Sequence, residues 1–212
     1  WEDIDSLARE YMLVFDLVLN HGSAQSAWFQ SFLKNEASHR DWYITRPADF
    51  DASFVFRPRM HPLLTPFLRS DGSTVYVWTT FGADQVDYNF ANPEVLLEFI
   101  KIFFEYIRHG ARILRLDAIA YLWKEDGTSC IHHPKTHAVV KLLRALIDYL
   151  ELDVLILTET NVPHDENLSY YGEGDEAHLV YNFALPPLVL HAAVSEDAGP
   201  LRDWAGTLPA PG

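Results

Sequence analysis

Three apolar runs in this chain end on groups that have no place in an apolar core, and this pattern constrains the fold more than any other feature. Residues 12–21 (MLVFDLVLNH), 113–117 (ILRLD) and 154–161 (VLILTETN) each read as a short strand finishing on a carboxylate or another polar group. In the second run Arg115 and Asp117 interrupt the apolar pattern. Side chains two apart on a strand share a side, so these opposite charges meet on one face. A charge in or near a sheet core is costly unless it is paired or used. Between the runs lie segments with helical periodicity. The first, opened by Asn92-Pro93-Glu94 and stopped by Gly110, carries Val95, Leu96, Phe99, Ile102, Phe103, Tyr106 and Ile107 on one face. The second starts at His133-Pro134, with Val139, Leu142, Leu143, Leu146 and Leu150 at helical spacing. Strand–helix alternation implies parallel strands with right-handed crossovers, in a doubly wound sheet or a (β/α) barrel. In a barrel, function sits at the C-terminal strand ends, which is where these acids fall.

The rest of the chain fills in around that frame. Residues 2–10 read as the end of a helix, and Asn20-His21-Gly22 closes the first strand. From 23 to about 90 the texture changes: residues 28–33 predict a short helix, four prolines (47, 58, 62 and 66) break longer elements, and Asp71-Gly72 marks a hairpin. This stretch is far longer than a strand-to-helix loop and reads as a small inserted subdomain. Residues 179–181 predict a fourth strand and 185–194 a further helix. No internal repeat or low-complexity segment interrupts the chain.

Thirty acids against sixteen lysines and arginines leave a net charge of −14, which argues against nucleic acid or an anionic membrane as partner. No apolar run is long enough to span a bilayer, and no signal peptide is visible in a chain that opens on Trp1. The single cysteine, Cys130, forbids an internal disulfide and suits a cytoplasmic protein. Twenty-nine aromatic residues (13 Phe, 10 Tyr, 6 Trp) allow stacking on sugar rings, although an aromatic core accounts for most of them.

Asp117 and Glu159 end successive strands and can face each other across a mouth. Two carboxyl groups about 5–5.5 Å apart suit retaining glycoside chemistry, one as nucleophile and one as acid/base. Asp117 has Arg115 two residues away, the cation that a nucleophilic carboxylate needs, whereas Glu159 has none beside it in sequence, as suits a proton donor. The alternative is a structural Arg115–Asp117 ion pair with Glu159 capping the next helix. His132, His133 and His137 include a pair one helical turn apart, but a HExxH glutamate and a cysteine cluster are missing, so a helix-start loop with surface histidines is expected and no metal. No GxSxG elbow or GxGxxG loop is present.

These motifs together resemble the α-amylase family, glycoside hydrolase family 13. DLVLNH (16–21) is similar to its first signature, GARILRLDA (110–118) to its second, and Thr158-Glu159-Thr160 to its third. QVDYN (85–89) is similar to the QPDLN-type signature near the end of the inserted domain B. TFGADQVD (80–87), GTSC (127–130) with His137, and YNFALPPL (181–188) look like the sucrose-phosphorylase-like subfamily, and the ETNVPH stretch (159–164) looks closer to its members acting on glucosylglycerate or glucosylglycerol.

The resemblance implies a partial (β/α)8 TIM barrel, about strands 3 to 6, with domain B after strand 3. Residues 1–22 would hold the end of helix 2 and strand 3, 23–90 the insertion, and 91–212 helix 3 to helix 6. Asp117 would be the nucleophile and Glu159 the acid/base. Arg115 would orient the nucleophile, His21 would contact the donor sugar, and Phe81, Gln85 and Tyr121 would line the glucose subsite. Asn161 follows the acid/base on the acceptor side, and Asp16 and Asn20 would be structural. The implied substrates are an α-glucoside and inorganic phosphate, with no cofactor and no metal. Water as acceptor, in an ordinary α-glucosidase or amylase, is the alternative. A non-catalytic α-amylase-like protein, which lacks one of the two acids, is a second. The fourth signature, a His-Asp after strand 7, has no counterpart here, so an internal fragment without activity of its own is expected.

Overall fold

The computed structural model describes residues 1–208. Strands β1 (Leu13–Val18), β6 (Ala111–Asp117), β7 (Leu155–Thr158) and β8 (Leu179–Val180) form one sheet in the order β1-β6-β7-β8, and every pairing in it is parallel. Helix α3 (Pro93–Arg108) connects β1 to β6 after the insertion, and α4 (Pro134–Tyr149) connects β6 to β7. The register sets Asp16 beside Arg115 and Arg115 beside Leu157, with Val18 beside Asp117 one pleat further on.

Both crossover helices begin as their sequences require. Asn92 caps α3 by accepting from the Glu94 N–H at 3.0 Å, and Pro93 occupies the first turn, where no N–H is needed. Gly110, at φ +88°, turns the chain from α3 into β6, and a Cβ there would come within 2.4 Å of Ala8 Cβ. Helix α4 is capped by His133, whose Nδ1 accepts from the Lys135 N–H at 3.1 Å. Its buried side is Thr136, Val139, Val140, Leu143 and Ile147. Leu142 and Leu150, expected on the apolar face, are exposed instead. The helix presents a narrower stripe than its leucine count implied.

Leu17, Leu114, Leu116 and Ile156 lie on the face that the helices cover, each at most 1% exposed. Burying such a side chain contributes about 1.5–3 kcal/mol. The alternate positions, Asp16, Arg115 and Asp117 among them, fall on the opposite, concave face, as a period of two demands. The helix-covered core runs without a break into the segment between β1 and β6, because Phe29, Tyr43 and Tyr88 continue the packing begun by Phe99 of α3. Their rings meet at centroid distances of 4.9–5.2 Å. Most of the chain's aromatic excess is spent in this core.

Within that segment lie β2 (His21–Ser23), α2 (Ala27–Leu33), the antiparallel hairpin β3 (Leu64–Leu68) with β4 (Thr74–Trp78), and β5 (Gln85–Asp87). The sequence of Asn20-His21-Gly22 predicts only the close of the first strand. Instead, His21 opens β2, which pairs antiparallel with β5 and sets His21 opposite Asp87. Returning chain is thereby stitched to departing chain at the strand mouth. After β7 come α5 (His164–Leu168), a 3-10 turn at Ser169–Tyr171, β8, α6 (Leu185–Ser195) and α7 (Gly199–Ala205). No helix among the described residues is long and apolar enough to cross a membrane.

Candidate active site

One acid from each of three neighbouring strands, or from the residue just after it, converges on one guanidinium. Arg115 donates through Nη1 to Asp16 Oδ1 at 2.7 Å and to Asp117 Oδ1 at 3.2 Å, and its Nη2 lies 3.8 Å from Glu159 Oε1. Burial alone would make that cation easier to deprotonate, but the bond to Asp16 and the charges of Asp16, Glu159 and Asp117 outweigh it, and its pKa is raised. Glu159 therefore does have a cation nearby, contributed by a neighbouring strand and invisible along the chain. Ala118 leaves β6 in the left-handed region (φ 52°), which aims its N–H at Glu159 Oε2, 3.2 Å away. Non-glycine residues seldom adopt that conformation, so Glu159 is held by a backbone turn as well as by Arg115.

Two adjoining cavities open above this cluster. One, about 400 Å³, is lined by His21, Arg59, Phe81, Gln85, Asp117, Ala118 and Glu159. The other, about 290 Å³, includes Phe56, Arg59, Tyr121, Glu159, Thr160 and Asn161. Arg59, Phe81, Ala118 and Glu159 belong to both, so Glu159 stands on the wall between them. Phe81 lies 5.3 Å from the His21 ring and 5.1 Å from Tyr121, edge to face, and forms a continuous aromatic side. A further depression of similar size, about 390 Å³, lies under Arg40, Arg46 and Arg69, but it has no pair of acids and Arg46 is already bound to Asp126.

All eight residues expected to touch substrate or carry chemistry thus meet at this mouth: Asp117, Glu159, His21, Phe81, Gln85, Tyr121 and Asn161 line the two cavities and Arg115 lies beneath them. Asp16 is more than half exposed and answers Arg115, whereas Asn20 is fully buried. Beneath His21, Asn20 Oδ1 accepts from Lys124 Nζ at 2.5 Å, and Lys124 Nζ lies 2.6 Å from Asp87 Oδ2. Desolvation lowers the Lys124 pKa against the pull of Asp87, while His21 is pushed down by burial more than Asp87 and Asp117 pull it up.

Two residues escaped sequence reasoning. Arg59 lies in a proline-broken stretch with no periodicity, where Pro58 and Pro62 signal only breaks. Lys124 lies seven residues past Asp117 in no motif or periodic pattern, and its partner Asp87 is 37 positions earlier in the chain. One expectation is corrected outright. His132, His133 and His137 are half-buried and individually engaged: His132 Nδ1 meets Tyr170 Oη at 3.0 Å, His133 caps α4, and His137 Nδ1 meets Glu176 Oε2 at 2.8 Å. They are structural, but not surface groups, because each has a neighbour from a separate part of the fold.

Comparison with known proteins agrees with this geometry. The profile described as "Alpha amylase, catalytic domain" matches residues 5–202. Glucosylglycerate phosphorylase of Spirochaeta thermophila is 58% identical over 98% of this chain and 35% of its own length. The Escherichia coli enzyme of the same name is 49% identical over the whole chain and 38% of its own length. This chain therefore spans about a third of the length of these curated relatives. The crystal structure of sucrose 6F-phosphate phosphorylase from Thermoanaerobacter thermosaccharolyticum superposes with a TM-score of 0.85 at 27% identity, covering 99% of this chain and 45% of that one. A parallel sheet with acids at its strand ends, an insertion stitched across its mouth and a profile match over nearly the whole length have one common explanation: the chain belongs to the alpha-amylase family, glycoside hydrolase family 13, and forms part of its (β/α)8 catalytic barrel.

Proposed function

We propose that the protein carrying this chain is a retaining α-glucoside phosphorylase acting on a glucosylglycerate-type substrate. The observation that carries this reading is the position of Glu159, on the wall between the two cavities and beside the guanidinium that holds Asp117. A glucosyl ring in the cavity containing His21 and Gln85 would place its glycosidic oxygen at Glu159 and its leaving group in the cavity containing Asn161. Glu159 donates a proton to that oxygen while Asp117 attacks the anomeric carbon; the C–O bond breaks and the free alcohol leaves. A phosphate oxygen then attacks the glucosyl–Asp117 ester and gives up its proton to Glu159. The ester bond breaks, and two inversions yield α-glucose 1-phosphate with Asp117 restored as a carboxylate.

Arg59 supports phosphate, rather than water, as the second acceptor. It lines both cavities and is engaged by no carboxylate among the described residues, whereas Arg115 is already shared by three acids. An anionic acceptor, or the carboxylate of a glycerate leaving group, needs such a cation in a cavity that already holds two acids. We take residues 1–22 and 91–212 as barrel and 23–90 as the insertion forming the roof of the site; 209–212 lie outside the described residues. Activity is assigned to the whole protein, and the 212 residues by themselves are expected to show no turnover. A phosphate co-substrate fits the cytoplasmic placement expected from the lone Cys130.

The test is to incubate the whole protein with α-glucosylglycerate or sucrose, with and without phosphate, and to analyse the products. The proposal expects α-glucose 1-phosphate, formed only when phosphate is present. Free glucose at equal rates in both would identify a hydrolase and sink the phosphorylase reading.

A further inference from the structure

Lys124 is the most deeply buried cation in the described structure, and nothing in the chemistry above uses it. Its side chain is 1% exposed and its ammonium touches two oxygens, Asn20 Oδ1 at 2.5 Å and Asp87 Oδ2 at 2.6 Å. Asp87 is also buried, and its carboxylate accepts further bonds from the Thr80 N–H at 3.0 Å, Thr80 Oγ1 at 2.5 Å and Asn20 Nδ2 at 3.1 Å. Three separate pieces of chain meet here: the end of β1, the end of the insertion and the stretch after β6.

The donor and acceptor inventory of this cluster admits one arrangement. An ammonium only donates, so the oxygen of the Asn20 amide must face Lys124. The Asn20 NH2 group must then face the other way, toward Asp87 Oδ2 and toward His21 Nδ1, which lies 3.3 Å from it. A ring nitrogen facing an NH2 group has to be the acceptor, so Nδ1 is bare and the hydrogen of the neutral ring sits on Nε2. Nε2 is the atom on the cavity side, 2.9 Å from Gln85 Nε2. With Nε2 protonated, the Gln85 amide is turned over so that Oε1 faces the ring and accepts, a change that leaves the shape of the amide unaltered, whereas Lys124 and Asp87 fix the Asn20 amide from both ends.

We propose that Lys124 is a positioning residue of the sugar site: acting through Asn20, it holds His21 as the tautomer with hydrogen on Nε2, so that the ring presents to the cavity shared with Asp117 and Glu159 a donor that Gln85 occupies until a sugar hydroxyl takes its place. The charged groups around the ring are Asp87, Asp117 and Lys124. Of these, Lys124 opposes the imidazolium and burial does so more strongly, so the ring that meets a sugar hydroxyl is neutral. A neutral ring of the other tautomer would offer that cavity only a lone pair, and the Asn20 NH2 would face an N–H.

The proposal rests on reading this cavity as the glucosyl site, but the tautomer can be measured without substrate. Whole protein labelled with 15N-histidine would be observed by NMR at pH 8, where the ring is neutral, with His21→Gln to assign the signal. The expected spectrum has a bare Nδ1 and a protonated Nε2; hydrogen on Nδ1 in the unmodified protein overturns the proposal. Replacing both partners, Lys124→Met with Asp87→Asn, removes the charge without stranding its partner. The expected result is a mixture of tautomers and a KM for the α-glucoside raised several-fold, more than kcat falls. A folded double variant with the original tautomer overturns the role of Lys124. If that variant does not fold, Asn20→Ala leaves the Lys124–Asp87 pair in place and breaks the next link, and an unchanged tautomer there overturns the relay. The expected tautomer in a protein that turns over no α-glucoside would refute the proposed function and leave the relay standing.

Discussion

Replacing Arg115 with lysine tests the central geometry most directly, because it keeps the charge and removes the fork. The guanidinium reaches Asp16 at 2.7 Å and Asp117 at 3.2 Å through one nitrogen and Glu159 at 3.8 Å through the other. A lysine ammonium is a compact point charge on a flexible stem and cannot hold that spread of three acids. At 3.2 Å and an effective dielectric of about 20, the gross attraction between Arg115 and Asp117 is about 5 kcal/mol. Both side chains are about a quarter exposed, so solvent screening takes most of that away. A net value of about 1.5–3 kcal/mol remains for a charge-assisted bond of this kind. Lost in the transition state, where Asp117 must be aligned with the anomeric carbon, it corresponds to a fall of roughly 10- to 100-fold in kcat. Steady-state phosphorolysis by the whole protein is the assay, with kcat and KM separated and thermal unfolding measured alongside. Expected is the fall in kcat with KM changed less than threefold. An Arg115→Lys enzyme with full kcat would refute the idea that the shared guanidinium orients the nucleophile, as would a loss appearing only in KM.

Other outcomes follow from the same geometry. Glu159→Gln is expected to lower kcat about 10²–10⁴-fold for an alkyl glucoside but much less for glucosyl fluoride, whose leaving group needs no proton; equal losses on both substrates would remove Glu159 from the acid/base role. Arg59→Ala is expected to raise KM for phosphate about tenfold while leaving slow hydrolysis unchanged, and an unaltered phosphate KM would detach Arg59 from the acceptor anion. Leu116→Ala, at a fully buried position on the helix-covered face, is expected to cost about 2–5 kcal/mol in urea unfolding, and less than 1 would place the core elsewhere. Burial depresses the pKa of His21, His132 and His178 below the ordinary value of 6.5. The unfolded chain therefore binds more protons below that value, and their contribution to stability, complete above pH 6.5, is lost as pH falls below it. Urea midpoints at pH 7.5 and 5.5 check the sign; a higher midpoint at the lower pH contradicts it.

Much of the architecture was legible along the chain because its cues are local. Asn92-Pro93 and His133-Pro134 mark helix starts through bonds closed within two residues, and Gly110 marks a stop that a side chain would block. The alternation around Arg115 and Asp117 places both on one face, and the contact is there at 3.2 Å. Where the reading failed, periodicity was the wrong guide. Leu142 and Leu150 keep helical spacing but face outward, because the sheet covers only a narrow stripe of α4. The three histidines looked like surface residues because Glu176 and Tyr170, which bury two of them, come more than thirty positions later.

Local order therefore determined the strands, the helix caps and the two acids at strand ends, since hydrogen bonding and side-chain period act over a few residues. Only the tertiary structure could bring Arg59 into the mouth, share Arg115 among Asp16, Asp117 and Glu159, and seal Lys124 against Asp87 beneath His21. Charge pairing and desolvation depend on distance through space, and the folded chain sets those distances between residues its sequence keeps far apart.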